Sequence, residues 1–103
     1  MSTSNFIDKL GNEGRQNIQF ELSTKEIIYF TFYWCSSVNY WYMDIEYKEF
    51  TLKGLQVVYS DNLLEQYKKI LPFGIQVDST SGLSPITQNA FSDGINRVIV
   101  NEY

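Results

Sequence analysis

Polar and apolar positions alternate without a break across Asn17-Ile18-Gln19-Phe20-Glu21-Leu22. That is the period-two signature of a half-buried strand. Two further β-patterned runs follow, at residues 25–35 and 40–47, each dense in aromatic and β-branched side chains. Such residues favour a pleated, half-buried surface. Ten of the twenty-two residues from 29 to 50 are aromatic. Between the runs, Ser36-Ser37-Val38-Asn39 has the length and polarity of a hairpin loop. Lys48-Glu49 predicts a second turn, after which Phe50-Thr51-Leu52 resumes extended structure. Gly54 interrupts that run, and a glycine inside a strand pattern signals a bulge or a close backbone approach. Leu55-Gln56-Val57-Val58-Tyr59 continues the sheet.

The pattern then changes period. Ser60-Asp61-Asn62 offers three consecutive helix N-cap residues, and Leu63, Tyr67 and Ile70 or Leu71 recur at helical spacing. Glu65 lies early and Lys68-Lys69 late, which suits the helix dipole. Pro72 ends the segment, because the residue before a proline avoids the α region. The spacing predicts one short α-helix over 62–70. Gly74-Ile75-Gln76-Val77 reads as a strand, and so does Ile95-Asn96-Arg97-Val98-Ile99-Val100. Between them, residues 78–94 form a polar loop containing Pro85; loops of that length are often functional.

Residues 1–16 are polar, with Phe6, Ile7 and Leu10 as an isolated apolar patch. They read as an N-terminal arm outside the core, followed by a single β domain over 17–103. The fold class expected is mainly β: a small antiparallel β-sandwich or partly open barrel with one short α-helix.

Composition narrows the function. A chain of 103 residues supports one modest core. The net charge of −4 divides evenly: residues 1–60 carry seven acids and five bases, residues 61–103 five acids and three bases. With no basic stripe, nucleic acid is not expected as a partner. With no polybasic segment and no apolar stretch long enough to span a bilayer, neither is a membrane. The first residues lack the apolar stretch of a signal peptide, so the expectation is a soluble protein made in a cytoplasm.

Candidate chemistry is sparse. The chain has no histidine and a single cysteine, Cys35, which excludes an intrachain disulfide and argues against a zinc site. Asp78-Ser79-Thr80-Ser81-Gly82 has the composition of a calcium loop without its terminal glutamate. Asp44 and Glu46 are two apart in a strand pattern and share a face, as a paired-carboxylate wall hydrolase would need. No nucleophile sits beside a base, and no phosphate-cradling glycine motif occurs. The reading is a non-enzyme without catalytic, metal or cofactor residues. What remains is surface. A domain this small has too little interior for all seventeen aromatic residues. Tyr29, Tyr33, Trp34, Tyr40, Trp41 and Tyr42 are therefore the candidate protein-interface residues.

The order of motifs also resembles a known family. Trp41-Tyr42-Met43-Asp44-Ile45 lies in the aromatic hairpin. Gly54-Leu55-Gln56-Val57-Val58-Tyr59 precedes Asn62-Leu63-Leu64-Glu65-Gln66-Tyr67, and Leu71-Pro72-Phe73-Gly74-Ile75 makes a corner into a strand. Pro85, Phe91 and Arg97-Val98-Ile99-Val100 close the set. Over residues 18–100 this order resembles the small baseplate plug proteins of contractile-tailed bacteriophages. The resemblance implies a structural virion protein of the tail baseplate, synthesised in the bacterial host cytoplasm. It would plug the distal end of the tail tube, with tube, hub or spike proteins as partners and its own copies in a homo-oligomeric ring about the tail axis. The alternative is an accessory β domain that binds a host surface or peptide through the 78–94 loop.

Overall fold

The computed structural model describes residues 3–7 and 10–103. Among them, strands build two antiparallel sheets. The larger is a meander of β2 (Arg15–Glu21), β3 (Ile27–Cys35), β4 (Tyr40–Tyr47) and β5 (Phe50–Gln56), adjacent in chain order. The smaller has β1 (Thr3–Phe6) and β6 (Phe73–Ser79) on either side of β7 (Asn96–Glu102). The chain is mainly β, as its patterning predicts, and no closed barrel forms among the described residues.

Alternation decides what faces inward. β3 buries Ile28, Phe30 and Phe32, and β4 buries Trp41, Met43, Ile45 and Tyr47. These side chains join Phe73, Ile75 and Val77 of β6 and Val98 and Val100 of β7 in one hydrophobic cluster. Each large apolar side chain so buried contributes about 1.5–3 kcal/mol. The sheets are also tied by a carboxylate. Glu102 on β7 is buried and accepts hydrogen bonds from the Ser23 N–H at 3.0 Å and the Ser23 hydroxyl at 2.7 Å, in the β2–β3 turn.

The bulge expected at Gly54 is present. The β4–β5 register shifts between Met43 and Ile45, so Asp44 faces two residues, Lys53 and Gly54. Gly54 takes φ +74°, which a residue with a Cβ resists, and its N–H donates to Asp44 Oδ1 at 2.9 Å.

Three expectations need correction. Residues 1–16 are not an arm outside the core. β1 pairs with β7 from Thr3↔Glu102 to Phe6↔Ile99, Ile7 and Leu10 are buried in the core cluster, and β2 already begins at Arg15. Residues 1, 2, 8 and 9 of that segment lie outside the described residues. The α-helix over 62–70 is replaced by a single 3-10 turn, Glu65–Tyr67. The reason is competition for backbone groups. Ser60 bridges Val77, the Leu63 N–H donates to the Ile75 carbonyl at 2.7 Å, and Asn62 Oδ1 accepts from both Leu64 N–H and Ile75 N–H. Ser60 and Asn62 thus serve an extended crossing along β6 rather than a helix start. Finally, the loop expected over 78–94 gives up its first residues to β6, and the remainder is anchored. β6 extends to Ser79, Pro85, Ala90 and Phe91 are buried, and the Asn96 side chain donates to the carbonyls of Asp78 and Leu83.

Candidate interaction surface

Strand phase sorts the six candidate residues into two groups. Odd-numbered positions on β3 and even-numbered positions on β4 point away from the core. Tyr29, Tyr33 and Tyr42 therefore lie on the outer face, and Tyr40 shares their phase at the end of β4. Tyr29 is 47% exposed; Tyr33, Tyr40 and Tyr42 are partly so. Trp41 has the opposite phase and is fully buried. Its indole N–H donates to the Thr87 carbonyl at 3.1 Å, and its ring lies 5.4 Å from Phe91. Trp41 is thus a core residue that pins the long loop, not a surface anchor. Trp34 opposes Trp41 on the same inward face, with ring centroids 5.8 Å apart, and is half-buried at the sheet's end.

The outer face is ordered by contacts between its own side chains. Tyr33 and Tyr42 are a directly opposed pair with stacked rings, 6.0 Å between centroids and 18° between planes. The Arg15 guanidinium lies 5.8 Å above the Tyr33 ring. The Tyr33 hydroxyl donates to Asp44 Oδ1 at 3.2 Å. Burial, with the Asp44 charge beside it, raises the Tyr33 phenol above its ordinary pKa. Asp44 and Glu46 do share this face, but Asp44 Oδ1 already accepts from Tyr33 and Gly54. That engagement gives the carboxylate a part in fixing the bulge. Cys35 is partly exposed at the end of β3, its sulfur 3.3 Å from the Ser37 hydroxyl.

At the opposite end of the hairpin, the Tyr47 hydroxyl donates to Glu26 Oε1 at 2.8 Å and the Lys48 ammonium pairs with the other carboxylate oxygen. Lys48, then Tyr47, holds the Glu26 carboxyl below its ordinary value; Glu26 in turn raises Lys48.

A second surface was not singled out by residue in the sequence. Leu83, Ile86 and Ile95 are 60%, 48% and 41% exposed and border one groove of about 370 Å³. They are single apolar residues in a polar loop, without period, so only the fold shows that they converge.

An antiparallel domain with tyrosines on one sheet face and an apolar groove lined by Leu83, Ile86 and Ile95 offers surfaces suited to contacts with other proteins. Residues 7–102 match the model of the family described as cyanophage baseplate Pam3 plug gp18, and the chain belongs to that family. Membership gives it a structural role among the proteins of a phage tail baseplate, and places it in the virion. No curated protein matches the chain at a significant level. Among the described residues no helix is long and apolar enough to cross a membrane.

Proposed function

We propose that the chain closes the distal end of a contractile tail's tube, near the hub or spike, without catalysis and by contacts alone. Copies stand in a ring about the tail axis and meet tube, hub or spike proteins. The observation that carries this reading is the tyrosine face on a sheet whose inner side is locked into the core. Tyr29, Tyr33, Tyr40 and Tyr42 present apolar rings with polar tips on a rigid surface, a combination suited to interface anchors. Trp34 lies on the inward face at the sheet's end, packed beside Trp41. Trp41 supports the surface from beneath.

The test is a double substitution, Tyr29→Ala with Tyr42→Ala, introduced into phage. The purified variant keeps the wild-type circular dichroism spectrum, while its recovery in assembled tails falls about tenfold, as the loss of two interface anchors predicts. Wild-type recovery in tails removes the tyrosine face from the plug's contacts.

One observation favours a second reading. The groove bordered by Leu83, Ile86 and Ile95 suits a host surface or peptide bound through the 78–94 loop. Deleting that loop would strip Phe91 and Ala90 from the core, so the cleaner variant is Leu83→Ser with Ile86→Ser. Tails that assemble normally but fail to adsorb favour this reading over sealing.

A further inference from the structure

Four strands border the two sheets, and three are protected in different ways. β1 is only four residues long. β5 is bent by the bulge opposite Asp44. β6 is covered by the crossing segment, through the Ser60–Val77 bridge and the Leu63–Ile75 hydrogen bond. Short length, bulges and covering segments are the usual protections of a sheet edge. β2 has none of them, and its sequence, Arg15-Gln16-Asn17-Ile18-Gln19-Phe20-Glu21, contains no proline.

The ladder phase shows which groups are open. Trp34 N–H donates to the Gly14 carbonyl and Leu22 N–H to the Glu26 carbonyl, so the even-numbered residues of this strand bond to β3. The backbone N–H and C=O of Arg15, Asn17, Gln19 and Glu21 therefore point away from the sheet. Among the described residues none is hydrogen-bonded to them. An open groove of about 790 Å³, lined by residues 11–13 and 15–19, runs beside this edge.

We infer that in the free protein β2 pairs antiparallel with β2 of a second copy, across a two-fold axis at Ile18. The register is dictated by the strand's own residues. With Ile18 opposite Ile18, Arg15 lies opposite Glu21 of the second copy and Asn17 opposite Gln19. All of these are odd-numbered, so each opposed pair exchanges two backbone hydrogen bonds through the open groups. Opposed residues share a face, so each guanidinium meets a carboxylate and each side-chain amide meets another. The symmetry makes both ion pairs at once. Registers two residues away in either direction lose this match. Lys25, 3.8 Å from the Glu21 carboxylate in the same chain, leaves that acid exposed for a second cation. A head-to-tail ring contains no such axis. The pair therefore belongs to the chain before assembly, and stands or falls separately from the baseplate role.

The test is sedimentation equilibrium of the purified full chain over a wide concentration range. The mass rises from 12.1 kDa to twice that value. Arg15→Glu alone and Glu21→Arg alone each oppose like charges twice and weaken association about tenfold or more. Arg15→Glu combined with Glu21→Arg restores it to near the wild-type constant. Asn17→Pro, which removes an outward N–H at an edge where proline is tolerated, abolishes pairing. Circular dichroism verifies that each variant is folded. A 12.1 kDa particle at every concentration overturns the inference. So does a dimer indifferent to either single reversal, or a double exchange that fails to recover association.

Discussion

Trp41 and Tyr42 are neighbours in the chain and occupy different worlds in the fold. Trp41 is enclosed by Trp34, Phe91 and the Thr87 carbonyl. Tyr42 lies on the outer face beside Tyr33. The hairpin's two faces are both rich in aromatics in sequence, yet one holds the molecule together and the other is available for contacts. Ring count alone therefore overstates the surface. Phe30, Phe32, Trp41, Tyr47, Phe73 and Phe91 all go inside, and on the outer face of the hairpin what is left is a tyrosine set, each ring with a polar tip.

The largest effect that could break this comparison is in stability. Trp41→Ala removes a fully buried indole and its hydrogen bond and should cost about 3–5 kcal/mol, while Tyr42→Ala should cost about 1 kcal/mol or less. Urea unfolding of the two variants measures the gap, and equal losses would refute the division of faces. Next is the bulge beneath the tyrosines. Asp44→Ala leaves the Gly54 N–H and the Tyr33 hydroxyl without their acceptor, and should cost about 1–2 kcal/mol. Gly54→Ala forces a Cβ into φ +74° and should cost about 1 kcal/mol. A neutral result for both would mean that the outer face is not set by this bulge.

The smallest effect concerns the clasp at the hairpin's far end. Glu26 has a lowered pKa in the folded chain, chiefly through Lys48. A depressed carboxylate contributes stability that is fully present above its unfolded value and lost as pH falls through the folded one. The melting temperature of Glu26→Gln should therefore lie slightly below wild type at neutral pH, and the difference should close below the ordinary glutamate value of 4.5. Because the Lys48 ammonium is largely exposed, about 150 mM salt should already blunt the effect. A gap that widens in acid would reverse the assigned sign.

Much of the larger sheet is legible in local sequence. The alternation at 17–22, the polar break at 36–39 and the Lys48-Glu49 turn correspond to β2, the β3–β4 connection and the β4–β5 turn. These are neighbour-to-neighbour pairings, set by residues close in the chain. The N-terminal segment fails the same reading for the opposite reason. Its partner β7 lies at the other end of the chain, and no local pattern announces the Thr3↔Glu102 pairing. Ser60-Asp61-Asn62 misleads because a cap residue satisfies a helix or an Asx-type crossing equally well, and β6 supplies the competing partners. Of the candidate surface, the tyrosines at 29, 33, 40 and 42 follow from phase once the strands are known. The Trp41 burial does not follow from aromatic density, and the convergence of Leu83, Ile86 and Ile95 depends on how the loop is anchored.

By itself, then, the chain determined its β character, the hairpin, the bulge glycine and, through its ordered motifs, its family. Those features rest on side-chain alternation and backbone freedom, which act over a few residues. Only the tertiary structure decided which face of the hairpin is interior, that both chain ends join one sheet, and that β2 is left with an open edge. Those outcomes depend on competition among distant segments for the same hydrogen bonds and the same apolar space, and that competition is settled only when the two sheets close on a common core.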